Sequence, residues 1–261
     1  MKIVTYNVNG IRAALRKGFA DWVAANDFSI ICIQETKAHP EQVDLTPLEE
    51  MGYHAHWHSA TRRKGYSGVL TLSRQAPDLV ETGCGQEIYD CEGRILRTDF
   101  GGLTLLNCYF PSGTSGQERQ DLKMEFLADF VRFVSRLRAA GRERILVVGD
   151  FNIAHAEIDI HDPKRNQKTT GFLPEERAWM SEWLGTHGFT DAFRHLNPEL
   201  VQYSWWSTRA NARANNKGWR IDYQALTTAD AGLLLGAYQE VDAVHSDHCP
   251  VVVQYGEELV R

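Results

Sequence analysis

The sequence lacks the features that mark several common classes of protein. Its five cysteines form no C-x-x-C pair and no zinc-binding spacing, so we expect reduced thiols and neither a disulfide framework nor a zinc site. No run approaches the roughly 18 apolar residues of a membrane span. The amino-terminal segment turns polar within seven residues, which is too early for a signal peptide. These absences predict a cytoplasmic protein that does not enter a membrane.

An excess of positive charge is also absent. The chain carries 28 Lys and Arg residues against 34 Asp and Glu residues, a net charge of −6. A protein that coats nucleic acid by bulk charge would be basic, so this balance argues against a histone-like role, although it leaves room for a local basic face. No low-complexity segment or Pro/Ser-rich linker divides the chain, and its 43% hydrophobic and 24% charged residues are ordinary for a globular protein. We therefore expect one domain over residues 1–261.

Short apolar runs typical of β-strands recur along the chain and end at Gly, Asn, Asp or Pro. The predicted strands are Lys2–Val8, Ser29–Gln34, His54–His58, Ser67–Ser73, Arg94–Phe100, Leu103–Phe110, Arg144–Val148, Arg220–Thr227 and Cys249–Tyr255. The continuous apolar runs Ile30–Ile33 and Ile145–Val148 are typical of interior strands covered on both faces.

Three helices are predicted from apolar residues at helical spacing. The longest opens with a capping box at Ser115–Glu118 and stops at Gly141. A second begins after Pro174 and stops at Gly188, and a weaker third lies within Ile11–Ala25. Strands and helices alternate without a strict β-α rhythm, which favours two packed mixed sheets with helices outside.

Polar side chains gather just beyond the predicted strand ends. Each one alone is a weak signal, because an acid after a strand is usually a solvated turn residue. Together they are four acids, three amides, a tyrosine and a histidine: Asn7, Asn9, Glu35, Tyr109, Asp150, Asn152, Asp222, Asp247 and His248. Hard oxygen ligands without a Cys or His cluster favour Mg²⁺, with Mn²⁺ as the alternative, over zinc. Since Mg²⁺ binds phosphate oxygens, a phosphodiester is the natural substrate.

Six fragments of the sequence occur in a familiar order. They are Thr5–Arg12 (TYNVNGIR), Ile33–Lys37 (IQETK), Gly149–His155 (GDFNIAH), Gly171–Arg177 (GFLPEER), Gly218–Tyr223 (GWRIDY) and Ser246–His248 (SDH). Together they resemble the exonuclease III family of apurinic/apyrimidinic (AP) endonucleases, within the endonuclease/exonuclease/phosphatase superfamily. The resemblance extends from Lys2 to about Tyr255.

The resemblance implies an α/β fold with four layers, like that of deoxyribonuclease I: two mixed β-sheets packed face to face, with helices on both outer faces. It implies a Mg²⁺-dependent DNA-repair enzyme, a phosphodiester hydrolase that cleaves DNA 5′ to abasic sites. The same enzyme would process 3′ ends as a 3′-5′ exonuclease and 3′-phosphatase. Its partner would be double-stranded DNA with abasic sites or damaged 3′ ends, bound by a monomer.

The resemblance also implies a role for each polar residue at the strand ends. Glu35 would be the main Mg²⁺ ligand, beside Asn7, and Asp247 would serve a second metal position or a metal-bound water. The candidate metal-site residues are Asn7, Glu35, Asp150, Asn152, Asp247 and His248.

Five residues carry the expected chemistry. Asp150 would orient and deprotonate the attacking water, and Asn152 would donate to the phosphate as charge builds. His248 would donate to a nonbridging oxygen while Asp222 holds its ring and raises its pKa. Tyr109 would assist at the scissile phosphate.

Substrate recognition is expected between Tyr203 and Asp222, where aromatic and basic residues are interleaved. Alone, such a cluster is more often part of a core. By the resemblance, the candidate substrate-binding residues are Trp205, Trp219 and Ile221 around a flipped-out abasic sugar, with Arg209, Lys37 and Ser112. A local basic face is expected from Arg12, Arg62, Lys64, Arg119, Lys123, Lys164, Arg165 and Lys168.

Three positions depart from the family pattern: Ser112 and Thr169 stand where relatives often have Asn, and Arg209 stands where some members insert an apolar residue. Two alternatives stay open. A relative acting on lipid or inositol phosphates would lack the Trp-rich segment and the basic loop. A non-catalytic DNA-binding protein would have lost acids at the strand ends, and none is missing here.

Overall fold

The computed structural model describes residues 1–261. Its strands are β1 (Lys2–Asn7), β2 (Ile30–Gln34), β3 (His54–His58), β4 (Val69–Ser73), β5 (Leu79–Thr82), β6 (Ile95–Phe100), β7 (Leu103–Tyr109), β8 (Arg144–Asp150), β9 (Phe189–Asp191), β10 (Trp205–Trp206), β11 (Gly218–Trp219), β12 (Asp222–Thr227), β13 (Leu234–Gln239) and β14 (Val251–Tyr255). Twelve of them form two six-stranded sheets, in the orders β13-β14-β1-β2-β4-β3 and β5-β6-β7-β8-β12-β9. The remaining pair, β10 and β11, forms a small separate ribbon.

Eight α-helices and four short 3₁₀ turns connect the strands. The helices are α1 (Ile11–Arg16), α2 (Phe19–Ala24), α3 (Thr46–Glu50), α4 (Glu87–Asp90), α5 (Gln117–Ala139), α6 (Pro163–Asn166), α7 (Pro174–Leu184) and α8 (Ala192–Leu196). The 3₁₀ turns are Pro40–Gln42, Glu157–Asp159, Thr228–Leu233 and Glu257–Val260. None of the helices is both long and apolar enough to cross a membrane.

Alternation along the strands creates the four layers. Leu105 and Leu146 belong to the apolar cluster between the sheets, whereas their neighbours Leu106 and Val147 pack with residues of α5 and α7 on the outer face. Successive strand side chains point to opposite faces, so each central strand must be apolar on both sides. The outer face of the other sheet is covered by α1, α2 and α3. The expected sandwich of two mixed sheets with helices outside is confirmed.

All nine predicted strands are present, within two residues at each end. Five strands escaped prediction because they are short or lie at the edges: β5, β9, β10, β11 and β13. The expected reduced state of the cysteines agrees with the structure, in which all five are free and buried.

The three predicted helices differ from the structure in detail. The Ile11–Ala25 helix is broken into α1 and α2 at Gly18, whose φ of +87° suits glycine. The Ser115 capping box is wrong, because Gly116 is the N-cap of α5 and no side chain caps it. The second helix ends at Leu184, four residues before the expected stop, with Gly185 as its C-cap.

Candidate active site

Strand directions bring the candidate residues to one edge of the two sheets. The parallel neighbours β1 and β2 end at the same edge, as do β7 and β8. β12 and β14 run antiparallel to β8 and β1, so their amino ends come to that edge. The residues gathered there are Asn7, Glu35, Tyr109, Asp150, Asn152, Asp222, Asp247 and His248.

Asn7 bridges two of the carboxylates. Its Nδ2 donates to Glu35 Oε1 and to Asp150 Oδ2, at 2.9 Å in both cases. The backbone N–H of Asn9 donates to Asn7 Oδ1 at 3.0 Å, and this contact fixes which end of the amide is oxygen. Asn7 therefore turns a donor toward the two acids, and its expected role as a metal ligand stays a prediction.

Lys37 is the charge partner of Glu35. Its Nζ lies 2.8 Å from Glu35 Oε2 and also donates to Asn9 Oδ1. Burial raises the pKa of Glu35, but Lys37 and the Asn7 amide outweigh burial and keep that pKa below its ordinary value. Glu35 is thus held as a carboxylate, and the expected contact of Lys37 with substrate stays a prediction.

The backbone turns sharply where these residues leave their strands. Asn9, Glu35, Lys37 and Asn152 all have φ between 47° and 54°. Non-glycine residues rarely occupy this left-handed region, although Asn tolerates it better than most. Such strain concentrates at functional sites and persists only where the surrounding contacts hold it. Here it aims the side chains of Glu35 and Asn152 over the sheet edge.

His248 and Asp222 form a buried pair. His248 Nδ1 lies 2.9 Å from Asp222 Oδ2, and Ser204 Oγ donates to the same oxygen at 2.6 Å. Burial lowers the pKa of His248, but Asp222 in particular raises it, to about 10. The imidazole is therefore cationic at neutral pH, with Nδ1 donating to Asp222 and with the Nε2–H group 3.9 Å from Asp150 Oδ2 and free to donate to a further group.

Asp150 lies between these groups and is wholly buried. Burial first, and then repulsion by Asp222, raise its pKa to about 7, against the opposing effects of His248 and of hydrogen bonds. The backbone N–H of Asn152 donates to Asp150 Oδ1 at 2.8 Å and orients the carboxyl group. A carboxyl group that titrates near neutral pH is suited to exchange protons with water.

Three residues can hold one metal ion. The ligand atoms of Glu35, Asp150 and His248 all lie within 4.8 Å of one another. The expected role of His248 as a ligand stays a prediction, and the better-suited pair is the carboxylates of Glu35 and Asp150. Their hard oxygens suit a hard divalent cation.

A cavity of about 340 Å³ opens directly over these groups. Trp205 and Trp219 form part of its wall with their rings edge to face, 6.1 Å between centroids, and Ile221, which belongs to the same apolar cluster, also lines it. Gly171, at φ +91°, completes the wall, because a Cβ there would lie 2.9 Å from the Trp219 ring. The cavity therefore combines an apolar side with a charged side.

Tyr109 and Asp247 also line the cavity. Arg94 covers the Tyr109 ring at 5.0 Å, and burial and the nearby acids raise the pKa of the phenol, so that it stays protonated. Asp247 accepts from Trp205 Nε1 at 3.1 Å and from Asn9 Nδ2 at 3.0 Å. Asp247 thus holds Trp205 in place in the cavity wall.

The remaining candidates differ in where they lie, and one of them departs from expectation. Ser112 lines the cavity, but Arg209 is exposed and is not among the lining residues. Lys123 was expected on a basic surface, and this is wrong: its side chain is fully buried against Glu176. Arg119 is partly engaged by Glu92.

Two further residues contribute to the site and were not identified from the sequence as site residues. Ser204 Oγ donates to Asp222 and accepts from the backbone N–H groups of Ile221 and Asp222, so it orients the acid behind His248. No spacing signal in the sequence identifies it. Gly171 was singled out only as part of the Gly171–Arg177 motif, and no local pattern in the sequence indicates that its backbone approaches the Trp219 ring.

Comparison with known proteins agrees with this geometry. Residues 4–248 match the model of the Endonuclease/Exonuclease/phosphatase family. The chain is 40% identical over 253 residues to an exodeoxyribonuclease of Bacillus subtilis, covering 96% of this chain and 98% of the relative. It is 38% identical to a DNA repair nuclease, APEX1, of Danio rerio, covering 97% and 81%.

Among solved structures, a Neisseria 3′-phosphatase bound to a product DNA hairpin superposes with a TM-score of 0.89. That structure is 28% identical and covers 98% of this chain and 99% of its own. The fold, the strand-end residues and these relatives agree, and the chain belongs to the endonuclease/exonuclease/phosphatase family, within its exonuclease III and AP endonuclease group of DNA-repair hydrolases.

Proposed function

We propose that this nuclease cleaves double-stranded DNA 5′ to abasic sites and processes damaged 3′ ends, using Mg²⁺. One observation carries the proposal: the apolar wall of Trp205, Trp219 and Ile221 lies in the same cavity as Glu35, Asp150 and His248. A sugar without its base fits such a wall, and a missing base makes extrusion from the duplex inexpensive. The phosphate attached to that sugar would then reach the charged side.

Glu35 and Asp150 would hold the metal ion. Both carboxylates are kept close by the Asn7 amide, and oxygen ligands of this kind suit Mg²⁺, with Mn²⁺ as the alternative. A bound Mg²⁺ would polarise a phosphate oxygen as a Lewis acid. Asn7 and Asp247 remain candidates for further ligand positions.

The chain's own groups would carry the proton and the developing charge. Asp150, the buried carboxylate beside His248, would take a proton from the attacking water. Asn152 uses one amide N–H on the Phe110 carbonyl at 3.0 Å, which leaves the second for a phosphate oxygen. Cationic His248, held by Asp222, would donate to the phosphate as negative charge builds, and protonated Tyr109 would donate near the leaving oxygen.

Specificity would come from shape. An apolar wall shaped for a bare sugar would exclude a normal nucleotide, which carries a base. Arg209, Lys37 and Ser112 would contact the DNA strand beside the cavity. We further propose that residues 1–261 act as one domain, as a monomer in the cytoplasm.

The test compares three end-labelled duplexes: one with a single abasic analogue, one with a 3′-phosphate and one with a recessed 3′ end. We expect cleavage of all three with Mg²⁺ and none in EDTA. An inositol phosphate and a phospholipid serve as parallel substrates. Hydrolysis of either of these without cleavage of DNA would overturn the proposal in favour of a phosphatase of small or lipid phosphates. Binding of the duplexes without cleavage would indicate a non-catalytic DNA-binding protein.

A further inference from the structure

A buried ion pair lies behind the cavity and takes no part in the proposed chemistry. Lys123 of α5 and Glu176 of α7 are both fully buried, with Nζ 2.6 Å from Oε1. Burial lowers the pKa of Lys123, and Glu176 opposes that effect. Placing two charges in a dry interior costs free energy, and an apolar pair of similar volume is often at least as stable. The pair therefore calls for an explanation other than stability.

Lys123 holds the backbone of Asn152. Its Nζ donates to the Asn152 carbonyl at 2.9 Å. On the other side of the same residue, the Asn152 N–H donates to Asp150 Oδ1 at 2.8 Å. Asn152 has φ of +54°, so its backbone is strained and its side-chain direction depends on these two contacts.

Glu176 holds the neighbouring Thr170–Leu173 loop, which also contributes to the cavity lining. Its Oε2 accepts from the backbone N–H groups of Gly171 and Leu173, at 2.6 and 2.9 Å. Gln120, one turn before Lys123 on α5, donates to Glu176 and accepts from Thr170 Oγ1 at 2.6 Å. Thr170 and Gly171 both line the cavity.

We propose that Lys123 and Glu176 are positioning residues, and that this single ion pair fixes Asn152 and the Thr170–Gly171 wall relative to each other. The inference rests on the proposed role of Asn152 at the phosphate. Neither residue touches substrate, since both are sealed beneath the cavity. An apolar pair would fill the same volume but would release one carbonyl and two N–H groups.

The first variant is Lys123→Met, which keeps the length of the side chain and removes the donor. Breaking a buried pair on one side should lower Tm by about 10 °C. Because Asn152 then shifts, kcat on abasic duplex should fall about 10- to 100-fold in the folded variant. KM should stay within about threefold, because the Asn152 contact acts chiefly as negative charge builds on the phosphate in the transition state.

The matched control is Arg97→Met. Arg97 lies on β6, is also nearly buried, and pairs with Asp99 and Glu81 away from the cavity. Its loss should lower Tm to a similar extent while kcat stays within about twofold of wild type. A Lys123→Met enzyme that is folded and has the kcat of this control would overturn the inference.

The double variant Lys123→Met/Glu176→Gln distinguishes an effect of the ion pair on the position of Asn152 from an effect on the stability of the fold. It also tests the inference if the single variant does not fold. With both charges removed, Tm should return to within a few degrees of wild type, whereas kcat should stay about tenfold or more below it. Recovery of kcat together with Tm would mean that the pair is merely structural.

A readout independent of activity is amide hydrogen exchange. The Gly171 and Leu173 amides should exchange at least tenfold faster in a Glu176→Leu variant, which removes their acceptor, and unchanged exchange would contradict the inference. If wild-type protein cleaves no DNA, the proposed function fails by itself. If wild type cleaves and the double variant matches it, only the positioning inference fails.

Discussion

Two clusters of buried charged residues differ in their balance of charge. One contains Arg220 and the other contains Asp222, the two sequence neighbours of Ile221. Arg220, fully buried, pairs with Asp159 and Asp191, each at 2.8 Å, and Arg194 adds a second cation 2.6 Å from Asp159. Every charge there has an opposite neighbour. Although burial raises the pKa of Asp159, the two guanidinium groups lower it to about 2.

The second cluster gathers Glu35, Asp150, Asp222 and Asp247 around His248 and Lys37. Carboxylates outnumber cations, and burial together with repulsion raises the pKa of Asp150 to about 7. A balanced cluster stabilises a fold, whereas an unbalanced one keeps a place for a further cation and a group ready to exchange protons. Two Asp→Asn variants should therefore have opposite effects.

The largest expected effect is that of Asp150→Asn. It removes the proposed base and one proposed metal ligand, so kcat should fall about 10³- to 10⁴-fold. Because the acid is held above its ordinary pKa in the folded state, its ionised form destabilises the fold as pH rises past about 4 toward 7. The free energy of unfolding of the variant at pH 8 should therefore equal or exceed that of wild type. Urea unfolding at that pH checks this, and a clear loss of stability would contradict it.

Asp159→Asn should instead destabilise the protein by about 3–5 kcal/mol at neutral pH, because Arg220 and Arg194 lose their acceptor. The pKa of Asp159 is lowered from 3.8 to about 2, so its stabilisation is complete above about pH 4 and is lost as pH falls toward 2. About 2 kcal/mol of the difference between variant and wild type should disappear over that interval. Urea unfolding at several pH values measures it.

Asp27→Asn is the control for that series. Asp27 is 91% exposed and lies 3.8 Å from Arg74, and such surface pairs contribute little. We expect a change below about 1 kcal/mol. If the exposed and buried variants lose the same stability, the balanced cluster does not have the role given to it.

Trp219→Ala removes part of the apolar wall of the cavity. Lost packing against an abasic sugar should cost on the order of 1–3 kcal/mol, or about 10- to 100-fold in kcat/KM on abasic DNA. His248→Ala should reduce activity on every substrate alike, since all share the reacting phosphate. A folded Trp219→Ala enzyme that loses all activities in equal proportion would make Trp219 a structural residue.

Arg209→Ala should have the smallest effect, because Arg209 is exposed and lies away from both clusters. Losing one phosphate contact should raise KM for duplex DNA about two- to fivefold and lower the slope of log affinity against log salt by about one. Binding measured at several salt concentrations tests this. An unchanged slope would remove Arg209 from the DNA-binding surface.

Prediction from sequence succeeded where residue type and strand end coincide. Glu35, Asp150 and Asp222 follow or open apolar strands, and the parallel pairs bring such ends together. It failed for Lys123, which lies in the same helical row as Gln120, Leu127 and Phe130 on the buried face of α5. The helical spacing indicated that Lys123 lies on the buried face. A lysine is nevertheless expected to be exposed unless a buried partner such as Glu176 is known.

Other features could not be predicted because they depend on contacts far apart in the chain. Ser204 acts through Asp222 and the Asn7 amide through Asp150, 143 residues away. The edge strands β5 and β9 are short, and one of them is mostly exposed, so alternation of apolar residues is weak there. Whether such a segment forms a strand depends on the neighbouring strand with which it pairs, and not on its local pattern of apolar residues.

The most direct test of the comparison measures cleavage of one end-labelled abasic duplex by wild type, Asp150→Asn and Asp159→Asn, at equal concentrations of folded protein. Each is assayed with Mg²⁺ and with EDTA. We predict that wild type cleaves with Mg²⁺ alone, that Asp159→Asn stays within about tenfold of wild type, and that Asp150→Asn is at least about 10³-fold slower. Cleavage by wild type in EDTA, or equal losses in the two folded variants, would contradict the division of the buried charges into a structural and a catalytic cluster.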